Sequence, residues 1–217
     1  MHASSEALIP MGSNDAPAAP VVFVVDDDIS VRESLEMLFR CAGLQTTLFA
    51  SAEAFLASPR PTGPGCLVLD VSLPDINGLD LQQRIAPERG DLPIIFITGH
   101  GDVPMTVKAM KAGAVEFLLK PFHDEALLNA VHDAIERSRA ALARAAEVRT
   151  IRARHATLTR RERDVLHWVI AGRLNKQIAG ELGISEITVK AHRRRVMEKM
   201  HARSVPDLVR IEAKLRP

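Results

Sequence analysis

The chain predicts an α/β domain, a five-stranded parallel doubly wound sheet, followed by an all-α helix-turn-helix domain. Three observations carry this. Strand and helix signals alternate five times between residues 21 and 138. Four of the strand signals are near-continuous apolar runs rather than alternating ones, as expected of strands covered on both faces. Beyond residue 156, strand patterns stop and short helical patterns follow one another, two of them joined by Gly183-Ile184-Ser185.

The elements follow in order. Residues 1–20, rich in Ala, Ser and Pro, have no hydrophobic period and are expected to be disordered. Strands are expected near 21–25, 44–48, 66–69, 93–97 and 115–119, and helices near 30–41, 51–57, 78–86, 104–112 and 124–138. Ser30 and Ser51 are expected to cap the first two helices, with Glu33 and Glu53 early in each. Gly43, Gly90 and Gly113 fall where helices end. Residues 139–156, mostly Ala, Arg and Glu, are expected as a helical linker, either continuing the preceding helix or hinged from it. In 157–217, helices are expected to about 171, from Asn175 to Leu182, over 186–200 and over 204–215.

The net charge of +1 conceals a polarity. Residues 21–138 hold 9 Lys and Arg against 17 Asp and Glu, a net of −8; residues 139–217 hold 19 against 8, a net of +11; the first 20 add −2. A basic second domain fits a polyanion partner, or simply a solvated basic surface. Cys41 and Cys66 lack metal-ligand spacing and are expected as buried free thiols in a reducing cytosol. No apolar run reaches the roughly 18 residues of a membrane span, and no basic and apolar leader opens the chain, so a cytoplasmic protein without a membrane partner is expected.

The strand ends carry the chemistry. Val21–Val25 ends in Asp26-Asp27-Asp28, Cys66–Leu69 in Asp70, Ile94–Ile97 in Thr98, and Val115–Leu119 in Lys120-Pro121. In a parallel sheet those C-terminal ends form the ligand edge. Adjacent carboxylates repel, and a pair joined by a third calls for a cation; hard oxygen donors suit Mg²⁺. Lysine and threonine add donors suited to phosphoryl oxygens. A single Asp after a strand would be only a helix cap, which is the reading for Asp28, Asp75 and Asp102.

This ordered set, with Pro74, Gly78 and Gly99, resembles the receiver domain of bacterial two-component response regulators over residues 21–138, a flavodoxin-like fold. Thr98-Gly99-His100-Gly101-Asp102-Val103-Pro104-Met105 and Met110-Lys111-Ala112-Gly113-Ala114 look specifically like the FixJ subfamily. The resemblance implies that Asp70 is the phospho-acceptor, attacking the phosphohistidine of a sensor histidine kinase. It implies Mg²⁺, with Mn²⁺ as a substitute, held by Asp27 directly, Asp26 through water, Asp70 and the backbone carbonyl of Ser72. Thr98 and Lys120 would bind phosphoryl oxygens, Lys120 pairing with Asp70 beforehand. A cis Lys120-Pro121 bond would aim the ammonium inward. Phe117, otherwise a core aromatic, would be the switch ring coupled to Thr98. His100 would tune phosphoryl lifetime or be an exposed loop histidine.

Residues 157–215 resemble the LuxR/NarL-type helix-turn-helix domain through Leu158-Thr159-Arg160-Arg161-Glu162, Val165-Leu166, Gly172, Asn175-Lys176-Gln177-Ile178-Ala179, Leu182-Gly183-Ile184-Ser185, Thr188-Val189-Lys190, His192 and Met197-Lys199-Met200. Arg193-Arg194-Arg195 is more basic than usual there. The 186–200 helix is expected to bury Ile187, Val189, Val196 and Met200 and to turn Lys190, Arg193, Arg194 and His192 to a DNA groove. Lys190 and Arg194 are the expected base readers, with Ala191 an apolar contact; Lys176, Arg193 and Arg195 are expected on phosphates, with Arg160 and Arg161 near the backbone. At least one of the three consecutive arginines is expected to serve the surface or a salt bridge instead. Asn175 is expected as an N-cap first.

Together these imply a response-regulator transcription factor, not a turnover enzyme. Phosphorylation would pair two receivers through the face of 104–112 and 115–119, bringing two basic domains to double-stranded DNA and to RNA polymerase. Two rivals fail on residues. A Mg²⁺ phosphatase with an Asp nucleophile needs a second Asp two positions on, where Ser72 stands. A ligand-sensing regulator needs an aromatic pocket, and the chain has one Trp, Trp168, and no Tyr.

Overall fold

The structure, a computed structural model, describes residues 19–59 and 61–215, apart from the side chain of Glu88. The segment expected to be disordered lies, through residue 18, outside the described residues. The chain divides into two compact units, Met1–Leu142 and Ala143–Pro217.

In the first unit, β1 (Val21–Val25), β2 (Gln45–Phe49), β3 (Gly65–Asp70), β4 (Ile94–Thr98) and β5 (Glu116–Leu119) alternate with α1 (Ile29–Cys41), α2 (Ala52–Ala57), α3 (Gly78–Arg89), α4 (Val103–Lys111) and the start of α5 (Asp124–Ala156). The sheet is wholly parallel with order β2-β1-β3-β4-β5. Successive side chains of a strand go to opposite faces. Phe23, Val25, Leu67, Leu69 and Phe96 therefore build one core, and Val22, Val24, Cys66, Val68, Ile95 and Ile97 the other. The inner strands β1, β3 and β4 are covered on both faces, which is why they read as apolar runs; the edge strand β2, Gln45–Phe49, exposes Gln45 and Thr47 and is more polar. Truncating a buried ring such as Phe96 to alanine would cost about 3–5 kcal/mol.

Short polar side chains start the helices and so fix the loops at the ligand edge. Asp28, not Ser30, caps α1, accepting from the Ser30 amide at 2.8 Å. The carboxylate is the stronger acceptor, and Ser30 is already inside the helix. Ser51 caps α2 and Asp102 caps α4, the latter accepting from the Met105 amide at 2.7 Å. Asp75 accepts from the Glu53 amide at 2.9 Å. Cys66 is buried, and burial pushes its thiol up to about 12. Cys41, expected to be buried, is instead exposed, because it ends α1 on the solvent side.

In the second unit, α6 (Arg160–Ile170), α7 (Asn175–Leu182), α8 (Glu186–Met200) and α9 (Val205–Ala213) surround Val165, Leu166, Ile178, Val189, Val196, Met200 and Leu208. Residues 139–156 have no boundary of their own: α5 runs unbroken to Ala156, and Ile151 is buried in this second core. Gly183 ends α7 with φ +64, a left-handed turn that glycine takes without Cβ strain, and leads into the Ser185 cap of α8.

Candidate functional site

The ends of four strands, β1, β3, β4 and β5, converge at the C-terminal edge of the sheet. Asp26, Asp27 and Asp70 each offer a carboxylate oxygen, all within 4.8 Å of one another. Asp26 is fully buried and Asp70 nearly so, while Asp27 faces solvent. Asp26 is held from three sides. Its Oδ1 accepts from the Asp28 amide at 2.9 Å, its Oδ2 from the Lys120 ammonium at 2.7 Å, and its backbone carbonyl from Arg32 Nη1 at 2.7 Å. Asp70 Oδ1 accepts from the Ser72 amide at 3.1 Å, and its Oδ2 lies 3.3 Å from Lys120 Nζ.

Lys120 therefore pairs with both acids, and more closely with Asp26 than with the expected Asp70. It enters the cis bond Lys120-Pro121 through its carbonyl, and its amide donates to the Thr98 carbonyl at 2.8 Å, which ties the two strand ends together. Burial raises the Asp26 carboxyl even against the neighbouring ammonium. Burial opposes the charge on Lys120 too, but contact with Asp26 and Asp70 outweighs it and raises the lysine. A buried carboxylate pair of this kind has spare oxygen ligands for a hard divalent cation, and the donor set fits Mg²⁺.

Thr98 is buried, and its hydroxyl is engaged within its own loop, donating to the His100 carbonyl at 3.1 Å and accepting from the His100 amide at 3.2 Å. Phe117 is half-buried on β5, its ring 6.0 Å from that of Phe96. Gly101 passes so close that a Cβ there would stand 3.0 Å from the Phe117 ring and 3.3 Å from the Thr98 methyl. Gly78 packs as closely against the end of β3: a Cβ would fall 2.6 Å from the Asp70 carbonyl. Ser72 is exposed beside Asp70. Arg32, in α1, is a site residue that sequence reading missed; a lone arginine in a helix gives no signal of reaching back to a strand end.

On the second unit, Lys176, Lys190, Ala191, Arg194 and Arg195 are exposed. The three consecutive arginines differ. Arg193 is half-buried and donates to Asn175 Oδ1 at 2.6 Å, linking α8 to the first residue of α7. Arg194 donates to Glu198 Oε1 at 2.8 Å on an open surface. Arg195 makes no ion pair among the described residues. Asn175 is the first helical residue and Leu174 occupies the cap position, so Asn175 is a helix-to-helix acceptor rather than an N-cap. His192, expected towards a groove, is half-buried, with Nδ1 buried and without a hydrogen-bond partner among the described residues. Ile187, expected in the core, is 80% exposed: α8 turns Val189, Val196 and Met200 inward, and Ile187 lies opposite.

The recognition-type helix is fixed at its other end by Glu162. This buried acid accepts from Lys199 Nζ at 2.6 Å and closes a reciprocal capping box with Thr159. Burial would raise its carboxyl, but the Lys199 ammonium and the Thr159 donors hold it below the ordinary value. Lys199 also donates to the Thr157 carbonyl at 3.0 Å.

Known families and proteins match both units. The family described as response regulator receiver domain matches residues 22–132, and that described as bacterial regulatory proteins, luxR family, matches residues 156–212. Nodulation protein W of Bradyrhizobium diazoefficiens is 50% identical over 204 residues, covering 94% of this chain and 90% of the relative. Transcriptional regulatory protein FixJ of Rhizobium meliloti is 47% identical over 190 residues, covering 88% and 93%. Among solved structures, response regulator StyR aligns with TM-score 0.79 at 48% identity over 91% of this chain and all of that one. Full-length FixJ from B. japonicum aligns with TM-score 0.55 at 42% identity over 92% and 98%. The sequence resemblance to both domain families, and to FixJ, is thereby borne out, as is the fold class.

Proposed function

This chain belongs to the two-component response regulators that join a receiver domain to a LuxR-type DNA-binding domain, and from that premise we propose that Mg²⁺-dependent phosphorylation of Asp70 by a sensor histidine kinase controls its binding to DNA. The family regulates transcription and is not one of turnover enzymes; histidine kinase and DNA are the partners it implies. The observation that carries the finer reading is Lys120 lodged between Asp26 and Asp70, with Thr98 on the adjoining strand end. A lysine balancing two buried acids is poised to balance a phosphoryl group in their place.

An Asp70 oxygen attacks phosphorus; the new P–O bond forms as the P–N bond to the kinase histidine breaks, and the bonding pair leaves with the imidazole. Mg²⁺, held by Asp27, Asp70 and the Ser72 carbonyl with Asp26 behind water, would neutralise phosphoryl oxygens during transfer. Lys120 swings its charge from Asp26 towards a phosphoryl oxygen. Thr98 releases the His100 carbonyl to donate to another. The loop carrying Gly101 moves with Thr98, and Phe117 beneath it repacks. Val103, Val107, Met110 and Leu119 form an exposed apolar set on α4 and β5 of the same unit. That face pairs two receivers once it is remodelled, so that two basic units in the cytoplasm act on one two-fold DNA site.

The test is incubation with Mg²⁺ and a small-molecule phosphodonor, followed by intact mass and peptide mapping. One phosphoryl group per chain, on Asp70 and dependent on the metal, is expected. No adduct, or an adduct elsewhere, overturns the reading.

A further inference from the structure

We propose that Ile187 reads the 5-methyl group of a thymine in the major groove, and so sets part of the operator sequence. The inference rests on the DNA-binding reading above and deepens it.

The argument starts from the register of α8. At about 100° per residue, positions spaced by four, three and four share one face. Ile187, Ala191, Arg194 and Glu198 have that spacing, and Val189, Val196 and Met200 occupy the opposite, buried face. Lys190 flanks the outer stripe. Ile187 thus points away from the core at the N-terminal turn of the helix, the turn that enters deepest in helix-turn-helix docking. It is 80% exposed and takes no part in the core of its unit, while its neighbours Ile184 and Val189 do.

Isolated exposed apolar residues are ordinary. Ile187 is set apart by its place on the stripe that also carries Ala191, Arg194 and the flanking Lys190. Its side chain has no donor or acceptor. The feature of a base edge that such a group can recognise in the major groove is the thymine methyl. The Ser185 hydroxyl caps α8 through the Thr188 amide at 3.1 Å, so the backbone of this turn is fixed and the side chain presented in one place. Fold stability asks nothing of Ile187, which makes its role separable from packing.

The experiment uses the full chain, treated with Mg²⁺ and phosphodonor. Preferred duplexes are selected from a random pool, and each thymine of the selected site is replaced in turn by uracil, which deletes only the methyl. At one thymine per half-site the wild type is expected to lose about fourfold in affinity, the worth of one buried methyl. Ile187→Ala should lose the same on the thymine duplex, be indifferent to uracil at that position, and melt as the wild type does. Ile187→Val should keep the sensitivity to uracil. If no thymine-to-uracil change distinguishes wild type from Ile187→Ala, the proposal falls while DNA reading stands. If the pool enriches no duplex, the DNA-binding reading falls and takes this one with it.

Discussion

The ammonium of Lys120 lies nearer Asp26 than Asp70, at 2.7 Å against 3.3 Å. The fully buried acid is thus the main counter-ion of the lysine, and Asp70, whose two oxygens accept at 3.1 Å and 3.3 Å, is held by longer contacts. A nucleophile clamped by the shorter contact would be a poorer one. The arrangement separates two jobs that the sequence alone merges: Asp26 holds the charge of Lys120, and Asp70 is left for the reaction proposed above.

It follows that Asp70→Asn should abolish phosphorylation and leave the fold in place, because the Lys120–Asp26 contact survives. Intact mass with Mg²⁺ and phosphodonor should show no adduct, and the melting temperature should move by only a few degrees. Asp26→Ala should behave differently, costing about 1–3 kcal/mol by leaving Lys120 without its closer acceptor. Denaturant unfolding of the two variants side by side checks the contrast; equal losses would show that Asp70 carries the pair.

Phosphorylation, or a beryllofluoride mimic, should convert monomer to dimer through the apolar set Val103, Val107, Met110 and Leu119. Val107→Arg should block the dimer and spare phosphorylation of Asp70, since residue 107 lies on the exposed side of α4. Sedimentation with and without the mimic reads the mass directly. A wild type that stays monomeric when fully modified would remove dimerisation from the switch.

The ligand edge was legible in the sequence because covered strands write themselves as apolar runs and end abruptly in Asp70, Thr98 and Lys120. The flanking helices were legible to within a few residues for the same reason. Contacts between distant side chains were not. Arg193 reads as one of three equivalent cations, and only the approach of α7 to α8 turns it towards Asn175. Ile187 reads as core because it is apolar, yet helical register puts it opposite Val189 and Val196. Asp28 displaced Ser30 as a cap because two acceptors stood within two residues of one helix start, and spacing does not rank them.

Acid should loosen the second unit through Glu162. Its carboxyl is held below the ordinary 4.5 in the folded chain. A depressed folded value means the stabilisation is complete above the unfolded value and drains away as pH falls through the folded one. Glu162→Gln should therefore be less stable than wild type by about 1–3 kcal/mol at neutral pH, with the difference shrinking below about 4.5. Trp168 sits on α6, packed against the core of this unit, and reports its unfolding by fluorescence. A gap that persists unchanged at low pH would mean that size and packing, rather than the charge, do the holding.

Three basic residues of α8 should give three different outcomes on DNA. Lys190 is exposed and flanks the outer stripe, so Lys190→Ala should cost about 1–3 kcal/mol at the preferred site and relax its sequence preference. Arg195 is exposed and makes no ion pair among the described residues, and Arg195→Ala should weaken specific and scrambled duplexes alike and flatten the salt slope by about one unit. Arg193, first expected on a phosphate, donates to Asn175 at 2.6 Å and braces α7 against α8. Arg193→Ala should lower the melting temperature of the second unit and weaken all DNA binding while leaving the salt slope nearly intact, because no phosphate contact is lost. Asn175→Ala should reproduce that pattern, and the double variant should add little to either, as two ends of one contact do. Titrations across salt on matched and scrambled duplexes, with a melt for each variant, separate the three. A full unit lost from the salt slope in Arg193→Ala would return that side chain to the phosphate backbone and leave Asn175 without its assigned part.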